Sequence, residues 1–106
     1  MRVEVLSFEG CPNAEATRDL VRQAIYLEEL DVPIAFIEVD NPEVAQRMRF
    51  LGSPSVRVNG QDVEPSANDR TECGLMCRTY CGGSGAAGTP PIDMIRAALR
   101  RGVTGK

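Results

Sequence analysis

The 106-residue chain contains no histidine. That excludes Cys-His and Ser-His nucleophile pairs and every imidazole ligand, leaving thiolates and carboxylates as the only ionic metal ligands. Tryptophan is absent too, and the aromatic set is small: Phe8, Phe36, Phe50, Tyr26 and Tyr80. The core must therefore be mostly aliphatic. No apolar run approaches the ~20 residues that a membrane span needs. Residues 1–8 read as a strand, without the charged start, long apolar stretch and cleavage site of an export signal. The expected address is the cytoplasm, with no membrane partner. An excess of positive charge is also lacking: 12 basic residues face 15 acidic ones, for a net charge of -3. No dominant positive field is available for a phosphate backbone, so nucleic acid is not an expected partner. The densest basic run, Arg96, Arg100 and Arg101, falls in the last turns of a C-terminal helix, where cations complement the helix dipole.

The length fits one compact domain, residues 1–106. The hydrophobic fraction of 42% and charged fraction of 25% are those of an ordinary globular protein. Residues 2–8 alternate with period two and predict a first strand. From Pro12 to about Leu30, the apolar residues Leu20, Val21, Ala24, Ile25 and Leu27 recur at helical spacing, and Asp31 and Pro33 end the pattern. Ile34–Val39, IAFIEV, reads as a buried strand. In DNPEVAQRMRFLG, Asn41 caps, Pro42 starts and Gly52 ends a short helix. Val56 and Val58 lead into Asn59-Gly60, a two-residue hairpin signal, and then Gln61–Val63. Residues 64–90 form a long insertion whose glycine-rich part, Gly82–Gly88, reads as a mobile loop. The last helix carries Ile92, Ile95, Ala98 and Leu99 on its apolar face. The predicted order is βαβαββα, an α/β fold around a four-stranded mixed sheet.

Four cysteines in a reducing compartment point to redox or metal chemistry rather than to a permanent disulfide framework. Cys11, in FEGCPNA, falls at or beside the start of the first helix, where unpaired backbone N–H groups and the helix dipole favour a thiolate. The alternative is a small buried filler. A C-x-x-C motif would place its second thiol at position 14, which here is Ala14. In TECGLMCRTYC, Cys73, Cys77 and Cys81 are spaced by four. If the stretch is helical, all three share one stripe, facing either the Cys11 site or the core. C-x3-C-x3-C is not a common zinc or iron–sulfur spacing. Among the carboxylates, Glu28 and Glu29 read as helix exterior, and Glu9, beside the Cys11 turn, is the one candidate proton acceptor.

The element order, the cysteine after the first strand, and GSPSVRVNG opening the third resemble the thioredoxin-like superfamily. More narrowly, they resemble small thioredoxin-like proteins with FEGCPN and GSP-x-VRVNG segments. The likeness covers residues 1–63 and the last helix. It implies a cis peptide before Pro54, with Pro54 against the active-site Cys11. It also implies substrate contacts at Pro12 and at the backbone of Ser53. A G-L-x-C-R-x-Y segment in similar proteins matches Gly74 to Tyr80 and implies Cys77 as the partner of Cys11, with Cys73 and Cys81 as additions of this chain. Ala14 departs from the family's dithiol motif, and the C-G-F-S motif of monothiol glutaredoxins is not present.

Three functions follow. The first is a thiol-dependent redox protein, with Cys11 as nucleophile, Cys77 or an external thiol as resolver and Pro54 beside them, acting on a thiol or disulfide substrate without a cofactor. The second is a binding protein for a soft ion such as Hg, As, Cu(I) or Zn, held by Cys11 with one or more of Cys73, Cys77 and Cys81. The third is a non-catalytic interaction domain.

Overall fold

Alternation in the first residues builds β1 (Val3–Ser7), whose Val3 and Val5 point to one face and Leu6 to the other. A computed structural model describes residues 1–65, 67, 74, 76, 78, 80–82 and 85–104; the side chains of 81, 82, 85–87 and 104 are outside that description. The order continues through α1 (Ala14–Leu27), β2 (Ile34–Glu38), α2 (Pro42–Met48), β3 (Ser55–Val58), β4 (Gln61–Asp62), β5 (Tyr80–Gly82), β6 (Gly85–Ala87) and α3 (Ile92–Thr104).

The main sheet is mixed, in the order β2-β1-β3-β4. β1 runs parallel to β2, from Val3 opposite Ile34 to Ser7 opposite Glu38, and antiparallel to β3, from Val3 opposite Val58 to Leu6 opposite Ser55. The end of β1 therefore meets the start of β3. On one face Val3, Val5, Val56 and Val58 pack with Val21, Ala24 and Ile25 of α1 and with Ile95, Ala98 and Leu99 of α3. On the other, Leu6 packs with Val39, Ala45 and Phe50 beside α2. Each fully buried side chain of this size stabilises by roughly 1.5–3 kcal/mol, so the two clusters fix the sheet between the helices.

Local chemistry sets the boundaries, some of which differ from expectation. α1 starts at Ala14 rather than at Pro12, with Asn13 at the cap position. It ends at Leu27, because Glu29 turns left-handed (φ 56) and the Leu30 N–H closes onto the Ile25 carbonyl at 3.1 Å. Leu27 lies off the buried face, 47% exposed. In α2, the Asn41 side chain accepts from the Val44 N–H at 2.8 Å, as a cap should. Its end is made by Arg49 at φ 55 and not by Gly52. Asn59 (φ 54) and Gly60 (φ 83) supply the two positive φ angles of a tight hairpin.

Two expectations are overturned. β2 is an edge strand, not a buried one; Phe36 is exposed and is roofed by the guanidinium groups of Arg18 and Arg22, 4.8 and 5.4 Å from the ring centre. The glycine-rich loop is in part a ribbon, β5 pairing β6 with Tyr80 opposite Ala87 and Gly82 opposite Gly85. Backbone pairing across a tight reversal needs no β-branched side chain, so the usual strand signal is missing there.

The C-terminal arginines do more than complement a dipole. Arg96 and Arg100 both hold the Glu28 carboxylate, at 2.7 Å and at 2.9 Å, and join the end of α1 to α3. Glu28, expected on the helix exterior, has a side chain only 12% exposed. Among the described residues no helix is long and apolar enough to cross a membrane.

Candidate functional site

Cys11 follows β1 in a tight turn. Its N–H donates to the Phe8 carbonyl at 3.2 Å, and its own carbonyl accepts from the Ala14 N–H at 3.3 Å. Gly10, at φ 84, supplies the positive φ inside that turn. The thiol is free and half-buried. It was expected at or beside the start of the first helix and lies two residues ahead of the cap residue, Asn13. Pro12 beside it is exposed. Cys11 opens onto a cleft of about 320 Å³ that Ser7, Glu9, Ala14, Arg18 and Glu38 also line. Glu9, the candidate proton acceptor, is thus at the cleft, as is Arg18, whose Nε is buried without a hydrogen-bond partner.

Ser53 ties this turn to the rest of the site. Its hydroxyl oxygen accepts from the Phe8 N–H at 3.3 Å. The peptide between Ser53 and Pro54 is cis. The Ser53 backbone is itself occupied: its N–H donates to the Met76 carbonyl at 2.8 Å, and its carbonyl accepts from the Arg78 N–H at 3.0 Å. Gly74 adds a bond from its N–H to the Phe50 carbonyl at 3.0 Å. A strap formed by Gly74, Met76, Arg78 and Tyr80 therefore lies along residues 50–54.

The sequence GSP reads differently once the strap is in place. A Cβ at Gly52 would sit 3.0 Å from the Arg78 Cβ and 3.2 Å from the Met76 carbonyl oxygen, and φ there is +122. Position 52 is glycine because the strap crosses it closely and because the backbone adopts a conformation L side chains rarely take. Tyr80, fully buried, donates its hydroxyl to the Pro54 carbonyl at 2.6 Å.

Arg78 anchors the strap. Its guanidinium donates to both Asp62 oxygens at 2.6 and 2.7 Å, to Glu64 at 3.2 Å and to the Ser55 hydroxyl at 3.0 Å, and stacks over Tyr80 at 4.3 Å. Burial alone would push the guanidinium down, but the hydrogen bonds to Asp62, the electrostatic effects of Tyr80 and Asp62, and the hydrogen bond to Glu64 together hold it above the usual arginine range. Both terminal nitrogens of the guanidinium are bonded in this way, while its Nε is buried without a hydrogen-bond partner; the paired carboxylates offset the cost of burying the charge. The far end of the insertion also returns to the site: a Cβ at Gly88 would run into the side chain of Asn13.

Of the residues expected to carry chemistry, Cys11, Glu9, Ser53 and Pro54 are described, and Ser53 joins Pro54 to the Cys11 turn. Cys73 and Cys77 lie outside the described residues, as does the side chain of Cys81. A helical stripe carrying all three cysteines is excluded, because Cys81 belongs to strand β5 and the carbonyl of Met76 and the N–H of Arg78 bond to Ser53 rather than within a helix. Among the described residues no group of three His, Cys, Asp or Glu converges to hold a metal. The metal set expected from the sequence falls mostly outside them. Asp62, Glu64, Arg78 and Tyr80 were not anticipated. The signal was a lone arginine and tyrosine around Cys77, but pairing Arg78 with Asp62 needs the return path of the chain. A larger hollow, about 550 Å³, lies at the opposite end of β3 beside Val58, Asn59 and Arg101, and no thiol among the described residues lines it. Comparison with protein-family models, with curated proteins and with solved structures returned no match for this chain.

Proposed function

We propose that the chain is a thioredoxin-like thiol redox protein in which Cys11 is the nucleophile and Cys77 its resolving partner. One observation carries this. Ser53 bonds through its hydroxyl to Phe8, whose carbonyl receives the Cys11 N–H, and through its backbone to Met76 and Arg78, the two sequence neighbours of Cys77. The two residues that flank Cys77 are thus fastened to the same residue, Ser53, that bonds to the Cys11 turn, beside a cis Ser53-Pro54 peptide.

The Cys11 thiolate attacks one sulfur of a substrate disulfide; an S–S bond forms to the protein and the other half leaves as a thiolate, which takes up a proton. The Cys77 thiolate then attacks the Cys11 sulfur. This forms the Cys11–Cys77 disulfide and releases the second half of the substrate as a thiol. The protein has lost two electrons and the substrate has gained two. Two molecules of a low-molecular-weight thiol restore the reduced protein. Pro54 and the Ser53 hydroxyl position the Cys11 turn, and Glu9, which lines the cleft, is the candidate to carry the proton.

The test is stoichiometric oxidation of the reduced protein followed by peptide mapping, with Cys11→Ser as control. The expected result is a dominant Cys11–Cys77 linkage, which requires α-carbons within about 7 Å, and loss of disulfide exchange in Cys11→Ser with the fold intact. Equal exchange by wild type and Cys11→Ser overturns the proposal. A dominant linkage that omits Cys11 removes Cys77 as its resolver.

A further inference from the structure

A sheet holds an extended polypeptide by pairing its backbone with an unpaired edge. Beside Cys11 the backbone suited to that role is the stretch entering β3, because Ser53 touches the Cys11 turn through Phe8. Both backbone hydrogen-bonding groups of Ser53 are taken by Met76 and Arg78, and the Pro54 carbonyl is taken by Tyr80. These occupants are not loosely placed. Arg78 and Tyr80 are buried, Arg78 is fixed by two carboxylates, and Gly52 lets the strap approach to contact distance. The other edge at this end belongs to β2, and a strand added there would lie two strand spacings, roughly 10 Å, from β1.

What is left open at Cys11 is the cleft of about 320 Å³, at the lower end of the range for small-molecule sites of about 300–1,000 Å³. We infer that the strap of Gly74, Met76, Arg78 and Tyr80 closes the peptide-accepting edge, so that Cys11 reacts with small disulfides in preference to disulfides within extended protein segments. The inference rests on the redox function proposed above and names its substrate class. The attack is the one already written: the small disulfide loses one half as a thiolate and Cys11 keeps the other half as a mixed disulfide.

The experiment compares the rates at which reduced full-length protein forms Cys11 adducts with bis(2-hydroxyethyl) disulfide and with insulin. Each rate is divided by that of free glutathione under the same conditions, and adducts are located by mass spectrometry. Amide exchange of Ser53 and Arg78 is measured in parallel. The expected result is a normalised preference for the small disulfide of about tenfold or more, with both amides protected. Tyr80→Phe, which removes the bond to Pro54, narrows the preference at least threefold by raising the insulin rate. Equal normalised rates in the wild type overturn the strap's role while leaving Cys11 chemistry standing. Free exchange of the Ser53 and Arg78 amides overturns it as well, even if Tyr80→Phe does not fold. Absence of any Cys11 adduct with either reagent overturns the redox function itself, and the inference with it.

Discussion

Arg78 and Asp62 form a two-pronged ion pair at 2.6 and 2.7 Å, with side chains 0% and 5% exposed. The pair joins the strap to β4, so it couples the insertion to the main sheet. Removing one partner of such a pair leaves an uncompensated buried charge and costs about 3–5 kcal/mol. Arg78→Ala is therefore expected to lower the unfolding free energy by that amount in urea titrations. Asp62→Asn should cost less, because Glu64 still faces the guanidinium at 3.2 Å. Equal small losses of about 0.5 kcal/mol, the size of a surface pair, would show that the strap is not held this way.

Gly52 supplies the second test of the same contact. Gly52→Ala puts a methyl group 3.0 Å from the Arg78 Cβ at a backbone φ of +122. Strain and overpacking at such a position cost on the order of 1–3 kcal/mol. Thermal unfolding should show the loss, and hydrogen exchange should show faster exchange at Ser53 and Arg78, whose amide bonds span the contact. A variant as stable as the parent, with both amides still protected, contradicts the close approach.

Much of the scaffold was legible because local rules act alone there. Val3, Val5 and Leu6 alternate, Asn41 and Pro42 punctuate α2, and Asn59-Gly60 demands its turn; each needed only neighbours in sequence. Phe36 was misjudged because an apolar run looks the same at the centre or at the edge of a sheet, and the covering groups, Arg18 and Arg22, come from another element. Cys11 and Ser53-Pro54 could be singled out from their segments, but that the Ser53 backbone is engaged within the chain could not. Its partners, Met76 and Arg78, come from more than twenty residues further on, and no periodicity records a single bridge between distant segments. Gly52 shows the same limit: it was read as a helix end, whereas its conformation and its contact with Arg78 are a tertiary requirement.

Glu28 gives the last prediction, which concerns pH. The hydrogen bonds from Arg100 and then Arg96 hold its carboxyl below the ordinary value of 4.5, against a smaller opposing effect of burial. A carboxyl whose folded-state pKa lies below its unfolded one binds fewer protons when folded, so stability rises with pH in that range. The contribution is complete above the unfolded value and disappears as pH falls through the lower folded one. Glu28→Gln removes the charge at every pH and keeps the shape. Its melting temperature should therefore lie below that of the wild type at about pH 7, and the gap should narrow as the pH is taken below about 4.5. Added salt should shrink the gap at neutral pH as well, since Arg100 is mostly exposed and open to screening. A gap that stays constant from neutral to acidic pH means that Arg96 and Arg100 contribute packing rather than charge, and the link between α1 and α3 is then apolar.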